Sequence, residues 1–249
     1  MEYQQTPFST NSGLNIQTVQ TPPEVTPARE SRRVTVGKPV WREYLETIII
    51  AILAALILRL FIVSAYRVSS GSMADTLAEG DYIFVNKLAY QWSDPQPGDI
   101  IVFQNPYEES RDYIKRVIAV EGQTVEIADK VVYINSQVAA IPPLSKHVDS
   151  RIFPSVLSNR DNFGPMMVPA NQVFVMGDNR DDSQDSRFWG CLDKSYIKGR
   201  ALFIYFSYEP DPQAPEWKPP YIFEFFQIGW HNLTTFFSRV RPDRLGPVD

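Results

Sequence analysis

The longest apolar run in the chain lies between two polar regions near the N-terminus. Residues 47–66 read TIIIAILAALILRLFIVSAY, and Arg59 is their single charged residue. A helix rises about 1.5 Å per residue, so these residues would span about 30 Å, the hydrocarbon thickness of a bilayer. Soluble helices are seldom apolar on every face over such a length. The pattern therefore predicts a transmembrane anchor over residues 41–66.

A cleavable signal peptide is the main alternative for this segment, because residues 63–65 (VSA) resemble a small-residue cleavage site. A long polar leader precedes the run, and the run exceeds the usual apolar core of about 7–15 residues. Both features favour a retained anchor. Basic residues cluster before the run: Arg29, Arg32, Arg33, Lys38 and Arg42. The positive-inside rule then puts the N-terminus in the cytoplasm and the rest outside.

The two ends of the chain differ from its middle. Residues 1–40 are rich in Thr, Ser, Gln and Pro without an apolar period, which predicts a disordered cytoplasmic tail. Residues 208–249 begin as a proline-rich spacer and continue as an aromatic segment. That segment is too polar and too short for a second span. It could lie at the membrane surface with its arginines at the headgroups, or pack on the preceding domain: Arg239, Arg241 and Arg244.

Between these ends, residues 67–207 show the short apolar runs and turn residues of a β-rich domain. No soluble helix is predicted among them. The predicted strands are residues 81–88, 99–104, 113–121, 124–127, 130–134, 172–176 and 200–206. Residues 136–171 contain several prolines and are predicted to be a loop-rich insertion. The expected fold class is mainly β, with one N-terminal transmembrane helix.

The composition narrows the possible chemistry. The 249 residues include one cysteine and two histidines, which excludes an internal disulfide framework, a multi-cysteine metal site and an HExxH pair. The 24 basic and 29 acidic residues give a net charge of −5 and no basic surface for nucleic acid. No metal or other cofactor is expected. A hydrolase that recruits no histidine could use a lysine as its base, if burial lowers the lysine pKa.

Three polar segments are candidates for chemistry. Lys115 lies in a strand-like run, where alternation puts it on the face of Tyr113 and Val117; the plain alternative is a lysine that points to solvent. Residues 68–77 cluster hydroxyl groups around a glycine, which fits either an exposed nucleophile or a polar linker. Residues 176–187 form a polar loop after an apolar strand, and they do not have EF-hand spacing.

Together these segments resemble bacterial type I signal peptidase, a membrane-bound serine protease with a Ser–Lys dyad. Residues 70–77 (SGSMADTL) resemble the family's serine motif S-x-S-M-x-P-T-L. Residues 113–127 (YIKRVIAVEGQTVEI) resemble its lysine motif, and residues 177–190 match GDNRxxSxDSRxWG throughout. The three motifs follow the anchor in the family's order.

The resemblance implies roles by position. Ser72 matches the nucleophile and Lys115 the general base. Ser70 matches a side-chain donor to the oxyanion, which acts with the backbone N–H of Ser72. Ser183 matches the hydroxyl that orients the lysine amine.

Further positions match supporting and binding residues of the family. Asp185 and Arg187 match a structural ion pair behind the site. The substrate pockets are matched by Tyr66, Val68, Met73, Leu77, Tyr113 and Ile114.

Two departures from the family pattern stand out. The family usually has proline at the position of Asp75 and often at that of Ser69. A carboxylate three residues from Ser72 would, if close, raise the pKa of Lys115 and oppose base catalysis. The sequence therefore predicts that an Asp75→Pro variant is more active at neutral pH.

The implied function is removal of N-terminal signal peptides from exported preproteins, with cleavage after small residues at −3 and −1. The expected partners are signal-peptide-bearing preproteins, the lipid bilayer and the export machinery. The expected location is a bacterial plasma membrane, or a thylakoid membrane, with the catalytic domain on the outer or lumenal side. One alternative is a weakly active or non-catalytic membrane-anchored paralogue that binds signal peptides. Another is a self-cleaving regulator, which the absence of a DNA-binding module disfavours.

Overall fold

A computed structural model of the protein describes residues 40–108, 111–211, 230–231 and 233–248. The predicted disordered tail, apart from residue 40, lies outside these residues. So do residues 212–229, which hold most of the predicted proline-rich spacer and the first part of the aromatic segment.

The apolar run forms a helix, α1, over Val40–Ile57, and a π-helical turn continues it over Leu58–Ile62. No residue of either element is buried. The 23 residues Val40–Ile62 form the one helix in the described ranges that is long and apolar enough to cross a membrane. An apolar helix exposed on all sides needs apolar surroundings, so this helix is compatible with membrane anchoring.

The helix ends four residues earlier than the predicted anchor. Val63–Arg67 form a β-strand, because their backbone pairs antiparallel with Asp81–Asn86 in register from Val63↔Asn86 to Arg67↔Tyr82. In the sequence, the apolar residues of this strand directly follow those of the helix, so the predicted anchor included both. The chain therefore passes from helix to sheet with no linker.

The twelve strands of the described residues form two antiparallel sheets. In chain order they are β1 (Val63–Arg67), β2 (Asp81–Asn86), β3 (Ile100–Gln104), β4 (Asp112–Val120), β5 (Thr124–Ala128), β6 (Val131–Ile134), β7 (Gln137–Val138), β8 (Phe163–Met167), β9 (Gln172–Met176), β10 (Leu192–Asp193), β11 (Ile197–Ser207) and β12 (Gly246–Pro247). The main sheet has the order β1-β2-β11-β3-β4-β9-β10, and β12 pairs with β11. The small sheet has the order β7-β6-β5-β8. The mainly β fold with one N-terminal apolar helix is confirmed.

The small sheet uses part of the segment that was predicted to be a loop-rich insertion. Strands β7 and β8 both lie within residues 136–171, and β8 pairs with β5. Its sequence, FGPMM, contains a glycine and a proline, which weaken any strand pattern. A further helical element, Ser186–Trp189 (α2), lies in the third polar segment.

Strand β3 shows how the main sheet is buried. All of its first four residues, IIVF, are at most 2% exposed. A strand that is apolar at every position is typical of a sheet covered on both faces. Strands β2, β11 and β3 separate β1 from β4 in the sheet order. The sheet nevertheless curls, so that Ser72 in the segment after β1 contacts Lys115 on β4.

Arg241 and Arg244 lie against the β-domain and not at a membrane surface, whereas Arg239 pairs within the C-terminal segment itself. The Asp81 carboxylate, which is fully buried, accepts hydrogen bonds from Arg244 at 2.7 Å and from Ser207 Oγ at 2.7 Å. Arg241 donates to Ser207 Oγ at 2.8 Å, and Arg239 lies 3.3 Å from Asp211. These contacts favour packing on the domain for this part of the segment.

We expect Asp81→Ala to lower the free energy of unfolding by about 3 kcal/mol, because it removes one partner of a buried ion pair. Chemical denaturation of the purified chain measures this change. Asp94→Ala is the matched control, since Asp94 is exposed and pairs with Lys194 at the surface; its effect should stay within about 0.5 kcal/mol. Equal effects of the two substitutions would contradict the structural role of Asp81.

Candidate active site

The segment after β1 turns sharply around Ser72. Gly71–Met73 form a single 3₁₀ turn, closed by a hydrogen bond from Ala74 N–H to Gly71 O at 3.0 Å. Val68 and Met73, on either side of the serines, are at most 3% exposed and lie in the same apolar cluster. These two buried side chains hold the turn against the core, while Ser70 is exposed and Ser72 is partly exposed.

Lys115 reaches this turn from the middle of β4. Its ammonium nitrogen, Nζ, lies 2.6 Å from Ser72 Oγ, and Ser70 Oγ lies 3.2 Å from the same oxygen. The side chain is buried, with 3% exposure. Burial lowers the pKa of Lys115 to about 8, and the charge of Arg187 acts in the same direction, while nearby carboxylates, Asp185 first, oppose it. An amine in this state can accept a proton near neutral pH.

Arg116, the next residue on β4, is buried as well, at 4% exposure. Its guanidinium donates to both carboxylate oxygens of Asp178, the shortest distance being 2.8 Å. Asp178 is fully buried and also accepts from Thr76 Oγ1 at 2.6 Å. Alternation puts neighbouring strand residues on opposite faces, so β4 carries one buried cation on each face.

The third polar segment packs directly against the serine turn. A Cβ atom added at Gly177 would lie 2.5 Å from Ser72 O and 2.3 Å from Ser183 Oγ, so only glycine fits there. Ser183 is 7% exposed, and its hydroxyl has no hydrogen-bond partner within the described parts of the chain. The structure therefore brings Ser183 to the site without a hydrogen bond to the lysine amine.

Asp185 and Arg187 form a buried ion pair at 2.8 Å. Asp185 also caps α2 by accepting from Arg187 N–H, and it accepts from Gly177 N–H at 3.1 Å. Arg187 donates in addition to the carbonyls of Arg180 and Arg160, each at 2.7 Å. The pair therefore holds the loop that carries Ser183 in place.

A cleft of about 660 Å³ opens in front of the serine and the lysine. Four of the six predicted pocket residues line it: Val68, Met73, Tyr113 and Ile114. Leu77 is fully buried and packs in the core beside Met73. Tyr66 packs against the same cluster and faces a separate shallow depression near the end of the helix.

Asp75 does not act on Lys115 in the way that the sequence suggested. Its carboxylate pairs with Lys146 at 2.8 Å, and the charges that shift the pKa of Lys115 belong to other residues. Asp75 has φ +77°, whereas a proline ring fixes φ near −65°. In this turn Asp75→Pro would strain the backbone, so the structure gives no support to the expected gain in activity, which stays a prediction.

Sequence reasoning missed Asn179 as a residue of the site. Its backbone N–H donates to Ser72 O at 3.0 Å, and its side-chain Nδ2 donates to Gly71 O at 3.1 Å. More than a hundred residues separate these partners, and no spacing rule connects them. The sequence did contain a signal for the pairing of Arg116. It is a second charged residue in an apolar strand, and such a residue needs a partner of opposite charge if it is buried.

A hydroxyl lies within hydrogen-bond distance of an amine whose pKa is lowered, at the edge of a cleft, and such an arrangement can activate a nucleophile. Within the described ranges, no group of three His, Cys, Asp or Glu side chains is placed to hold a metal ion.

Comparison with known proteins identifies the family of this chain. Residues 41–206 match the family model described as signal peptidase, peptidase S26. A probable signal peptidase I-1 of Synechocystis is 39% identical over 172 residues, which are 66% of this chain and 82% of the relative. Signal peptidase I T of Bacillus subtilis is 38% identical over 67% of this chain and 86% of its own length. Signal peptidase I of Aquifex aeolicus is 33% identical over 70% and 88%, respectively. The resemblance of the three motifs is thus confirmed, and the chain is a serine peptidase that belongs to the signal peptidase family, peptidase S26.

Proposed function

We propose that this chain removes signal peptides from exported preproteins by Ser–Lys acyl-enzyme chemistry. The observation that carries the proposal is the 2.6 Å contact between Lys115 Nζ and Ser72 Oγ in a buried setting that favours the neutral amine. The names of the relatives support the substrate class.

The proposed reaction begins when neutral Lys115 takes the proton of Ser72 as Oγ attacks the scissile carbonyl. The lysinium then gives its proton to the departing amine, and the acyl group stays on Ser72. A water that Lys115 deprotonates attacks the ester and releases the new carboxylate. Ser183, buried beside Gly177, is the proposed hydroxyl that orients the amine when the substrate closes the cleft.

The oxyanion that forms on the carbonyl needs donors that point at it in advance. The proposed donors are the hydroxyl of Ser70 and the backbone N–H of Ser72. Ser70 Oγ already lies 3.2 Å from Ser72 Oγ, so its hydroxyl is close to the oxyanion, which is carried by the carbonyl carbon that Ser72 Oγ attacks.

Asn179 is proposed to position the backbone donor. The carbonyl of Gly71 and the N–H of Ser72 belong to one peptide plane, in which they point in opposite directions. The hydrogen bond from Asn179 Nδ2 to Gly71 O therefore fixes the direction of the Ser72 N–H without touching the substrate. Hydrogen bonds to the carbonyl also polarise the same peptide, which strengthens its N–H as a donor.

The substrate is proposed to bind as an added strand between the residues that flank the cleft, 66–70 and 112–115. Val68, Met73, Tyr113 and Ile114 line the cleft and would form shallow apolar pockets for small side chains at −3 and −1. Main-chain pairing would supply affinity, and the shallow pockets would exclude larger residues.

The exposed helix Val40–Ile62 is proposed to anchor the chain in a bacterial plasma membrane or a thylakoid membrane. The basic residues that precede it favour a cytoplasmic N-terminus, with the catalytic domain on the outer or lumenal side. Signal-peptide-bearing preproteins would arrive through the same bilayer from the export machinery.

We expect Ser72→Ala and Lys115→Met each to reduce preprotein cleavage by about 10³-fold or more, because each removes one half of the nucleophile–base unit. Cleavage of a preprotein by the detergent-solubilised full chain measures the effect. Ser155→Ala and Lys194→Met are matched controls, since neither residue lines the cleft. Normal cleavage by either dyad variant would refute the proposed chemistry.

The pH dependence of kcat/KM should show an inflection near 8. Below that pH Lys115 is an ammonium and cannot accept the serine proton, so the rate should fall about tenfold per pH unit. Above it the amine is neutral and the rate levels off. Lys115→Arg should be inactive at every pH, since a guanidinium does not deprotonate. An inflection near the ordinary lysine value of 10.5 would contradict the role of burial.

Asn179→Ala should lower kcat by about tenfold or more and leave KM nearly unchanged, because the lost contact orients a donor that acts on the transition state. Steady-state kinetics on one preprotein separates the two constants. Asn171→Gly is the control, since that side chain contacts Asp193 at the surface and glycine tolerates the φ of +61° at this position. A rise in KM with an unchanged kcat would instead assign Asn179 to substrate binding.

A further inference from the structure

A second cavity lies next to β4, on the side of Arg116. Its volume is about 790 Å³, within the range of small-molecule sites. It is enclosed by the turn at Pro97 and Gly98, by strand β6 and by residues 138–147. Its walls are mainly apolar: Val117, Val132, Ile134, Val138, Ile141 and Pro142. The proposed cleavage reaction makes no use of this cavity.

Four long cationic side chains also line the cavity, and three of them have carboxylate partners. These pairs are Arg116 with Asp178 at 2.8 Å, Lys130 with Asp181 at 2.9 Å, and Lys146 with Asp75 at 2.8 Å. The fourth cation is Arg180. Among these four cations, Arg180 is the one without an ion pair to a described carboxylate.

Arg180 is 6% exposed, and the buried Nε of its guanidinium has no hydrogen-bond partner among the residues that the structure describes. The charges of Asp178 and Asp185 act on Arg180, but Asp178 forms its ion pair with Arg116 and Asp185 forms its ion pair with Arg187. Three guanidinium groups thus share two carboxylates. A buried cation without a partner carries a large desolvation cost, which a bound anion would offset.

We propose that this cavity binds a single-chain anionic lipid, with its carboxylate on Arg180 and its acyl chain along the apolar wall. One unpaired positive charge fits a head group with one negative charge. The apolar helix Val40–Ile62 supports a lipid as the source, since it suits the chain to a bilayer, where such amphiphiles are abundant. A polar anion such as free phosphate would leave the apolar walls without a partner.

Photolabelling of the full-length chain in a non-ionic detergent tests the proposal. The probes are a sixteen-carbon fatty acid with a diazirine in its chain and the matching fatty alcohol. Peptide mapping by mass spectrometry locates the label. We expect the acid to label residues 131–142 at least tenfold more than the alcohol does. Labelling of the apolar helix by either probe is the internal reference, because it reports contact with lipid that does not depend on the cavity.

Variants assign the label to the cavity. Arg180→Gln should reduce labelling of residues 131–142 at least tenfold, and Arg180→Lys should keep most of it because the charge remains. Ala139→Phe fills the cavity from its apolar side and should remove the label without altering Arg180. Arg151→Gln is the matched control, since this exposed arginine lies outside the cavity.

Thermal unfolding shows which variants remain folded. If Arg180→Gln does not fold, the comparison of acid with alcohol and the labelling of the Ala139→Phe variant still test whether the lipid binds in the cavity. Label confined to the apolar helix, equal labelling by acid and alcohol, or full labelling of a folded Arg180→Gln variant would each overturn the proposal. Preprotein cleavage is not the readout, so failure of the proposed reaction would leave this result interpretable.

Discussion

The buried carboxylate of Asp178 joins the three polar segments into one site. It accepts from Thr76 in the serine segment and from Arg116 in the lysine strand, and it belongs to the third segment itself. These contacts span 102 and 62 residues of chain. Removal of either cation or carboxylate from such a pair leaves a buried charge, which typically costs about 3–5 kcal/mol. The relative positions of Ser72 and Lys115 therefore depend on an interaction that involves neither side chain.

Lys115 and Arg116 show how one strand can hold two buried cations for different purposes. Arg116 is paired with the carboxylate of Asp178. Lys115 has a neutral hydroxyl as its direct partner, so burial weighs against the ammonium form and lowers its pKa to about 8. The two side chains differ in the group that they contact, which is a hydroxyl for Lys115 and a carboxylate for Arg116. Their neighbouring positions in the sequence do not predict this difference.

Much of the fold could be predicted from local pattern, and the failures have identifiable causes. Strand β9 was predicted with its observed ends, because its apolar run is bounded by turn residues. Strand β1 was absorbed into the predicted anchor, since an apolar strand and an apolar helix cannot be distinguished by hydropathy alone. Strand β8 was missed because Gly164 and Pro165 interrupt it.

The candidate site was accessible to the sequence only through its motifs. Alternation identified Lys115 as unusual, but it could not supply the distance to Ser72. Asn179 and Arg180 lie in the same motif as Ser183, yet their partners or lack of partners depend on the packing of distant segments. Asp75 shows the limit of reasoning from sequence distance. It lies three residues from Ser72, but its carboxylate pairs with Lys146, which belongs to another part of the chain.

The direct passage from helix to strand has a consequence for how the enzyme meets its substrates. Val63 continues from the π-helical turn into β1, and Lys87 holds this junction with hydrogen bonds to the carbonyls of Leu60 and Ile62. In the proposed membrane setting, the height of Ser72 above the bilayer is then fixed by the fold. The enzyme would then select cleavage sites by their distance from the bilayer as well as by their sequence. A peptide bond presented at another depth would stay uncut, whatever residues surround it.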